Sequence, residues 1–383
     1  MTKDINKDVF SEGTLLKLGI FAECFREWFP VFIHNLFTKG IFIADFFAGS
    51  GRDAKGNLGS PLRLLEEAKG INRIYCNAVL KNNKEVVFAF NEKNKQKEAE
   101  LEFNVKTFMD QCFKENCNRD KCIYSYLNFS QYDFKDVFYH EALSKILADR
   151  DYAKFILLDQ YGFSQVDENV FLKLVNSPHT DFIFFISSSF IKRFKEIDYT
   201  KRYIDTERIH FSESDPKECH RVIADYFQKL VPEGKEYYIH HFTLKKGPNY
   251  WGLIFGTNHT LGMEKFLKVC WKEDIYSGES NFNIDNDEPV GSLFFTGETT
   301  NKKTKLKDDI KNKILSREIT NNKDGLKYAL RNRCLPEVYI SAIQELEKDN
   351  SVRCFPKFNK QTTSIHKVDI YNIEVLKNDI YKN

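Results

Sequence analysis

Residues 41–52, Ile-Phe-Ile-Ala-Asp-Phe-Phe-Ala-Gly-Ser-Gly-Arg, run from an unbroken apolar stretch through Asp45 into a loop carrying Gly49 and Gly51. A strand that ends in a glycine turn lets backbone N–H groups approach a ligand with no Cβ in the way. The dinucleotide-binding fingerprint needs a third glycine three residues further on. Ala54 holds that place, and no helical pattern begins there. A tight turn with no ligand is the plain alternative for this segment alone.

Similar apolar runs recur along the chain, with helical periods between them. Residues 14–37 read as an amphipathic helix ahead of strand 41–46. Ser60-Pro61 looks like an N-cap with proline at the first helical position. A second strand covers 86–90, a long helix about 93–115, and a third strand Ile123 to Phe129. Strands at 154–159 and 181–187 follow, then a helix at about 215–230. Two β-rich runs, 236–244 and 251–257, flank Lys-Lys-Gly-Pro-Asn-Tyr as in a hairpin. This alternation indicates an α/β protein with a doubly wound, Rossmann-like parallel sheet.

At 383 residues the chain has room for one large domain and something smaller, or for two domains. Its 35 Phe and 18 Tyr supply much of a sizeable core, and a net charge of +2 excludes polyanion binding by bulk electrostatics. No run reaches the roughly eighteen apolar residues of a membrane span. The Met-Thr-Lys-Asp start lacks the apolar stretch of a signal peptide. Nine mostly scattered Cys fit reduced thiols. The expectation is a soluble, cytoplasmic protein with no membrane partner.

Carboxylates then fall at successive strand ends, where ligands bind in open α/β sheets. Glu92 ends the second strand and can accept both hydroxyls of a ribose; a solvated Glu opening a charged helix is the alternative. Asp133, in Tyr132-Asp133-Phe134, suits either an adenine amino group or the N-cap of the next helix. Asp159-Gln160-Tyr161-Gly162 closes the fourth strand, either as an acceptor-side segment or as an Asx turn.

The pattern D-x-F-x-G-x-G at 45–51 resembles the first motif of class I S-adenosylmethionine (SAM)-dependent methyltransferases. The ordered set resembles one family, the three-Cys-motif partner proteins (TcmP), over about residues 14–270. Its carriers are Asp45 to Gly51, Gly59-Ser60-Pro61, Glu92, Asp159 to Gly162, and Tyr250-Trp-Gly-Leu-Ile-Phe-Gly-Thr-Asn-His. The resemblance implies a class I methyltransferase sheet ending in an antiparallel hairpin. It implies SAM held by Asp45, Ala48, Gly49, Ser50, Gly51, Glu92 and Asp133, with Asp159 and Tyr161 as catalytic acceptor-side residues. It also implies methylation of a nucleobase amino group, and a three-cysteine-motif, radical-SAM-like partner protein in a bacterial phage-defence pair. Gln160 stands where the family usually has proline, which loosens the turn. Two other functions stay open: a SAM- or nucleotide-binding scaffold without catalysis, and a nuclease-type activity.

Cys112, Cys117 and Cys122 lie five residues apart, whereas zinc sites pair thiolates roughly two to four residues apart. Ordinary thiols are the expectation, with no metal site. His259, at a strand end, reads as a structural histidine.

The C-terminal part changes character. Residues 301–360 hold 15 Lys/Arg against 8 Asp/Glu, a local balance of +7 that leaves the rest of the chain at −5. Leu335 to Asn350 reads as a helix and Val352 to Phe355 as a strand, so a small, mostly helical, winged-helix-like module is expected. Lys302, Lys303, Lys305 and Lys307 are its candidate nucleic-acid contacts; a solvated helical appendage is the alternative. The expected divisions are 1–275, a Gly/Ser/Asn/Asp-rich connector at 276–300, and 301–383.

Overall fold

The computed structural model describes residues 8–114, 122–160, 162–187, 219–247, 249–285, 300–356 and 369–376. These form two compact units, Met1–Asn258 and His259–Asn383. The division falls before the 275 boundary expected from the sequence.

In the first unit, Gly40–Asp45 forms β1 with all six residues buried, as a strand covered by helices on both faces must be. It pairs in parallel with β2 (Glu85–Asn91) on one side and β4 (Tyr152–Leu158) on the other. Beyond them lie β3 (Tyr126–Ser130) and β5 (Thr180–Ile186), also parallel. β7 (Asn249–Thr257) runs antiparallel to β5, and β6 (Tyr238–Lys246) pairs with β7 at the edge. The order β3-β2-β1-β4-β5-β7-β6 is the Rossmann-like methyltransferase sheet with its antiparallel hairpin. Connections diverge at β1 and β4, which opens a crevice at their C-terminal ends.

Helices cover both faces. On one side α1 (Glu12–Ile33) lays Phe25 and Trp28 against Phe155, with ring centroids 5.4 and 5.2 Å apart. Trp28 Nε1 also donates to buried Asp181 at 2.5 Å. α1 packs on α2 (Ser60–Lys69), which is followed by α3 (Ile74–Lys81). α4 (Lys95–Lys114) precedes β3 and contacts it. On the other side, α5 (Phe134–Tyr139), α6 (Glu141–Ala148), α7 (Glu168–Asn176) and α8 (Cys219–Leu230) bury one continuous cluster. Phe138, Leu147, Phe171 and Phe227 meet Ala44, Ile156 and Phe184 there.

Two local readings change. The N-cap of α2 is Gly59, and Ser60 is already helical. The third strand starts at Tyr126 instead of Ile123; Ile123 and Tyr124 are buried ahead of it, and the Tyr124 hydroxyl donates to Leu65 O at 2.6 Å.

The second unit contains α9 (Thr260–Glu273), α10 (Asn301–Leu315), α11 (Asn322–Arg331), α12 (Glu337–Lys348) and the antiparallel pair β8 (Val352–Phe355) and β9 (Asn372–Val375). The expected mostly helical C-terminal region is present, with a separate antiparallel strand pair. The described start of the expected connector is ordered by Asp274. Its carboxylate accepts from the backbone N–H groups of Tyr276, Ser277, Glu279 and Ser280.

Candidate functional site

β1 delivers Asp45 to the C-terminal edge of the sheet, fully buried. Its Oδ1 accepts from the Phe47 N–H at 3.0 Å, and the Ser60 hydroxyl also reaches the carboxylate. Ser60 thus lies beside Asp45 and does not cap α2. Oδ2 is buried with no hydrogen-bond partner. Burial pushes the Asp45 carboxyl up to about 7; nearby Asp159 adds to the rise, while Ser60, the Phe47 N–H and Lys17 oppose it.

The loop beyond Asp45 is pinned from β2. Ala48 N–H donates to Asn91 O and Gly49 N–H to Glu92 Oε2, each at 3.0 Å. Gly49 and Gly51 take φ of 63° and 79°, the left-handed region where only glycine is unstrained. A Cβ on Gly51 would come 3.0 Å from Leu101 Cδ1. Ser50 turns its hydroxyl to Arg52 O at 2.8 Å, and its carbonyl accepts from Asn104 Nδ2 at 2.8 Å, so its side chain serves the loop itself.

Glu92, one residue past β2, accepts from Asn94 N–H through Oε1 at 2.8 Å. Each oxygen keeps a second lone pair for a ligand hydroxyl. Asp133 is the N-cap of α5, accepting from Lys135 N–H at 3.1 Å, and pairs with Lys93 Nζ at 2.7 Å. The Lys93 hydrogen bond and then the Lys135 amide hold its carboxyl below the usual range. Both readings given for Asp133 placed it at this strand end; its carboxylate has the capping contact.

Asp159 follows β4, and both its oxygens accept from Lys17 Nζ at 2.6 Å. Lys17 also lies 4.7 Å from the Phe185 ring centroid. Tyr161 lies outside the described residues. Gln160 corrects the expectation of a loosened turn. It is buried, its Oε1 accepts from the Gln165 and Val166 N–H groups at 2.9 and 3.1 Å, and its Nε2 donates to Phe185 O at 2.9 Å.

Asp45, Ala48, Gly49, Glu92 and Asp159 therefore gather along one sheet edge. Sequence reasoning missed three residues that organise it. Lys17 is one polar position on an amphipathic helix, and Gln160 was weighed only as a missing proline. Asn91 joins three strand ends: its Nδ2 donates to Phe46 O and Tyr132 O, and its Oδ1 accepts from Ser130 Oγ and Tyr132 N–H. A polar residue closing an apolar run was the only signal for Asn91.

The candidate lysines of the second unit differ among themselves. Lys302 pairs with Glu279 at 2.5 Å and Lys307 with Glu345 at 2.8 Å. Lys303 lies 4.4 Å from the Trp271 ring centroid, and Lys305 is exposed. His259 caps α9 through its side chain. Cys112 and Cys122 are buried thiols, and Cys117 lies outside the described residues. Among the described residues no group of three or more His, Cys, Asp or Glu is placed to hold a metal ion, and no helix is long and apolar enough to cross a membrane.

No family model matches the sequence, and no curated protein does. Several solved structures are similar. Trm1 from Pyrococcus horikoshii, in complex with S-adenosyl-L-methionine, is 11% identical over 71% of this chain, with a TM-score of 0.37. This chain covers 63% of that protein's length. M. capricolum TrmK, in complex with S-adenosylhomocysteine, is 12% identical, covering 88% of this chain and 98% of its own, with a TM-score of 0.29. Precorrin-6y C5,15-methyltransferase from Geobacter metallireducens is 10% identical, covering 66% of this chain and 95% of its own, with a TM-score of 0.30.

Proposed function

We propose that this protein is a SAM-dependent methyltransferase acting on an amino group of a nucleobase. One observation carries the reading: the buried Asp45 Oδ2 has no partner, beside a glycine loop at the switch point of this sheet. A buried carboxylate oxygen without a donor is costly until a ligand supplies one. SAM has an ammonium for Asp45 and a ribose diol for Glu92, and the backbone from Ala48 to Gly51 lies between the two. When bound, it supplies an electrophilic sulfonium methyl group. The residues of this chain then orient the acceptor. Lys17 Nζ takes one direction of approach to each Asp159 oxygen, which leaves another for an acceptor N–H.

The test is to incubate the protein with methyl-labelled SAM and nucleic acid, then digest and search for methylated nucleosides by mass spectrometry. Asp159→Ala should abolish transfer while holding SAM affinity within about threefold. SAM binding with no methylated nucleoside from DNA or RNA would contradict the nucleobase reading.

The Lys17–Asp159 ion pair also supports a second reading, because it already neutralises the acceptor-side carboxylate. The chain would then be a SAM-binding scaffold acting through a protein partner. The TcmP resemblance supports a radical-SAM-like partner and a phage-defence setting. Methyl transfer to any nucleic acid would contradict this reading.

A further inference from the structure

The tip of the β6–β7 hairpin lies at the same sheet edge as the site, because β6 runs in the direction of β5 and ends at Lys246. A cation sits beside a ring on each face of the tip, with Lys246 and Trp251 on the face of Phe185 and Lys245 and Tyr250 on the other. Lys246 Nζ is 5.9 Å from the Trp251 ring centroid, and Lys245 Nζ is 6.0 Å from that of Tyr250. Both lysines are exposed and both rings are half-buried. Lys246 makes no ion pair with a described residue, whereas Lys302, Lys307 and Lys311 of the basic tail all have glutamate partners.

The rings also lead inward. Trp251 and Phe185 have centroids 6.4 Å apart, Lys17 Nζ is 4.7 Å from the Phe185 centroid, and Lys17 meets Asp159 at 2.6 Å. Two rings, Trp251 and Phe185, therefore lead from the exposed tip to Lys17, which meets the acceptor-side carboxylate. Sequence-tolerant binding of single strands uses this combination: ring faces stack bases while lysines meet phosphates.

We propose that one face of the hairpin tip, through Lys246 and Trp251, is the surface on which a single-stranded nucleic acid is laid so that one base reaches Asp159. The inference rests on the nucleobase reading above and moves the docking surface from the lysine-rich tail to the methyltransferase sheet.

The experiment is fluorescence anisotropy of labelled single-stranded RNA and DNA of about 20 nucleotides, longer than the tracks such grooves bind. SAM calorimetry is run on every variant. Lys246→Glu combined with Trp251→Ala should weaken binding by about tenfold or more, as loss of one stacked base does. Trp251→Phe keeps a ring face and should retain most of the affinity, which separates lost stacking from lost folding. Lys302→Glu with Lys307→Glu should change it by less than about threefold, because those charges already face glutamates. Losing one phosphate contact with Lys246→Glu should flatten the salt slope by about 0.7, whereas Lys245→Glu, on the opposite face, should leave it nearly unchanged.

If the tail pair matters more than the tip pair, the surface is misassigned. If neither RNA nor DNA binds while SAM still gives heat, the surface falls and the cofactor reading survives, with a protein partner as the better occupant. If the strand binds at the tip but SAM gives no heat, the surface stands and the methyltransferase reading falls.

Discussion

Lys17 of the first helix and Asp159 at the end of β4, 142 residues apart in sequence, meet with Nζ 2.6 Å from both carboxylate oxygens. The contact links the helical cover of the sheet to its ligand edge. It also sets the charge around Asp45, which Asp159 and Lys17 influence in opposite directions.

Removing the cation alone should be worse than removing the pair. Lys17→Met leaves Asp159 unbalanced close to Asp45 and should cost about 2 kcal/mol, less than for a fully buried pair. Lys17→Met with Asp159→Asn should recover part of that loss. Denaturant melts of the two singles and the double give the coupling energy; strict additivity would show that the ion pair is a bystander.

Gln160 holds its turn with two hydrogen bonds from Gln165 and Val166 and ties it to β5 with one to Phe185. Gln160→Ala should lower stability by about 2 kcal/mol, since two N–H groups and a carbonyl lose their partner. Gln160→Pro introduces the proline usual in the TcmP proteins that the sequence resembles but loses the same bonds, so it should be destabilised as well. A proline variant as stable as the parent in thermal melts would contradict this role.

Asp45 predicts a pH dependence with a defined sign. Its carboxyl rises from 3.8 to about 7 on burial, so its contribution to stability is full below 3.8 and is lost as pH rises toward 7. The ligand-free protein should melt at a lower temperature at pH 8 than at pH 5 through this group, and Asp45→Asn should remove that part of the difference. A cationic ligand needs the carboxylate, so SAM affinity should fall by about tenfold per pH unit below the Asp45 pKa and level off above it. Affinity that is flat from pH 5 to 8 would show that Asp45 does not meet the ammonium.

The sheet was legible because its strands are short apolar runs, and the glycine loop because left-handed turns select glycine. Asp45, Glu92 and Asp159 were legible as carboxylates closing such runs. The contacts that set their chemistry were not. Asn91 closes three strand ends and Gln160 grips the neighbouring strand, and neither geometry follows from local sequence. Ser60 was misread because a serine before a proline looks like a cap, while Gly59 takes the cap position and Ser60 lies inside the helix near buried Asp45. In the tail, counting lysines could not reveal that Glu345 faces both Lys307 and Lys311.

The central claim is that the edge formed by Asp45, Gly49 and Glu92 binds SAM, and titration calorimetry tests it most directly. At pH 8 the protein should bind SAM at one site per chain. Asp45→Asn and Glu92→Gln should each weaken it by about tenfold or more, in keeping with the loss of a charge-assisted hydrogen bond. Saturating SAM that gives neither heat nor a thermal shift would contradict the claim.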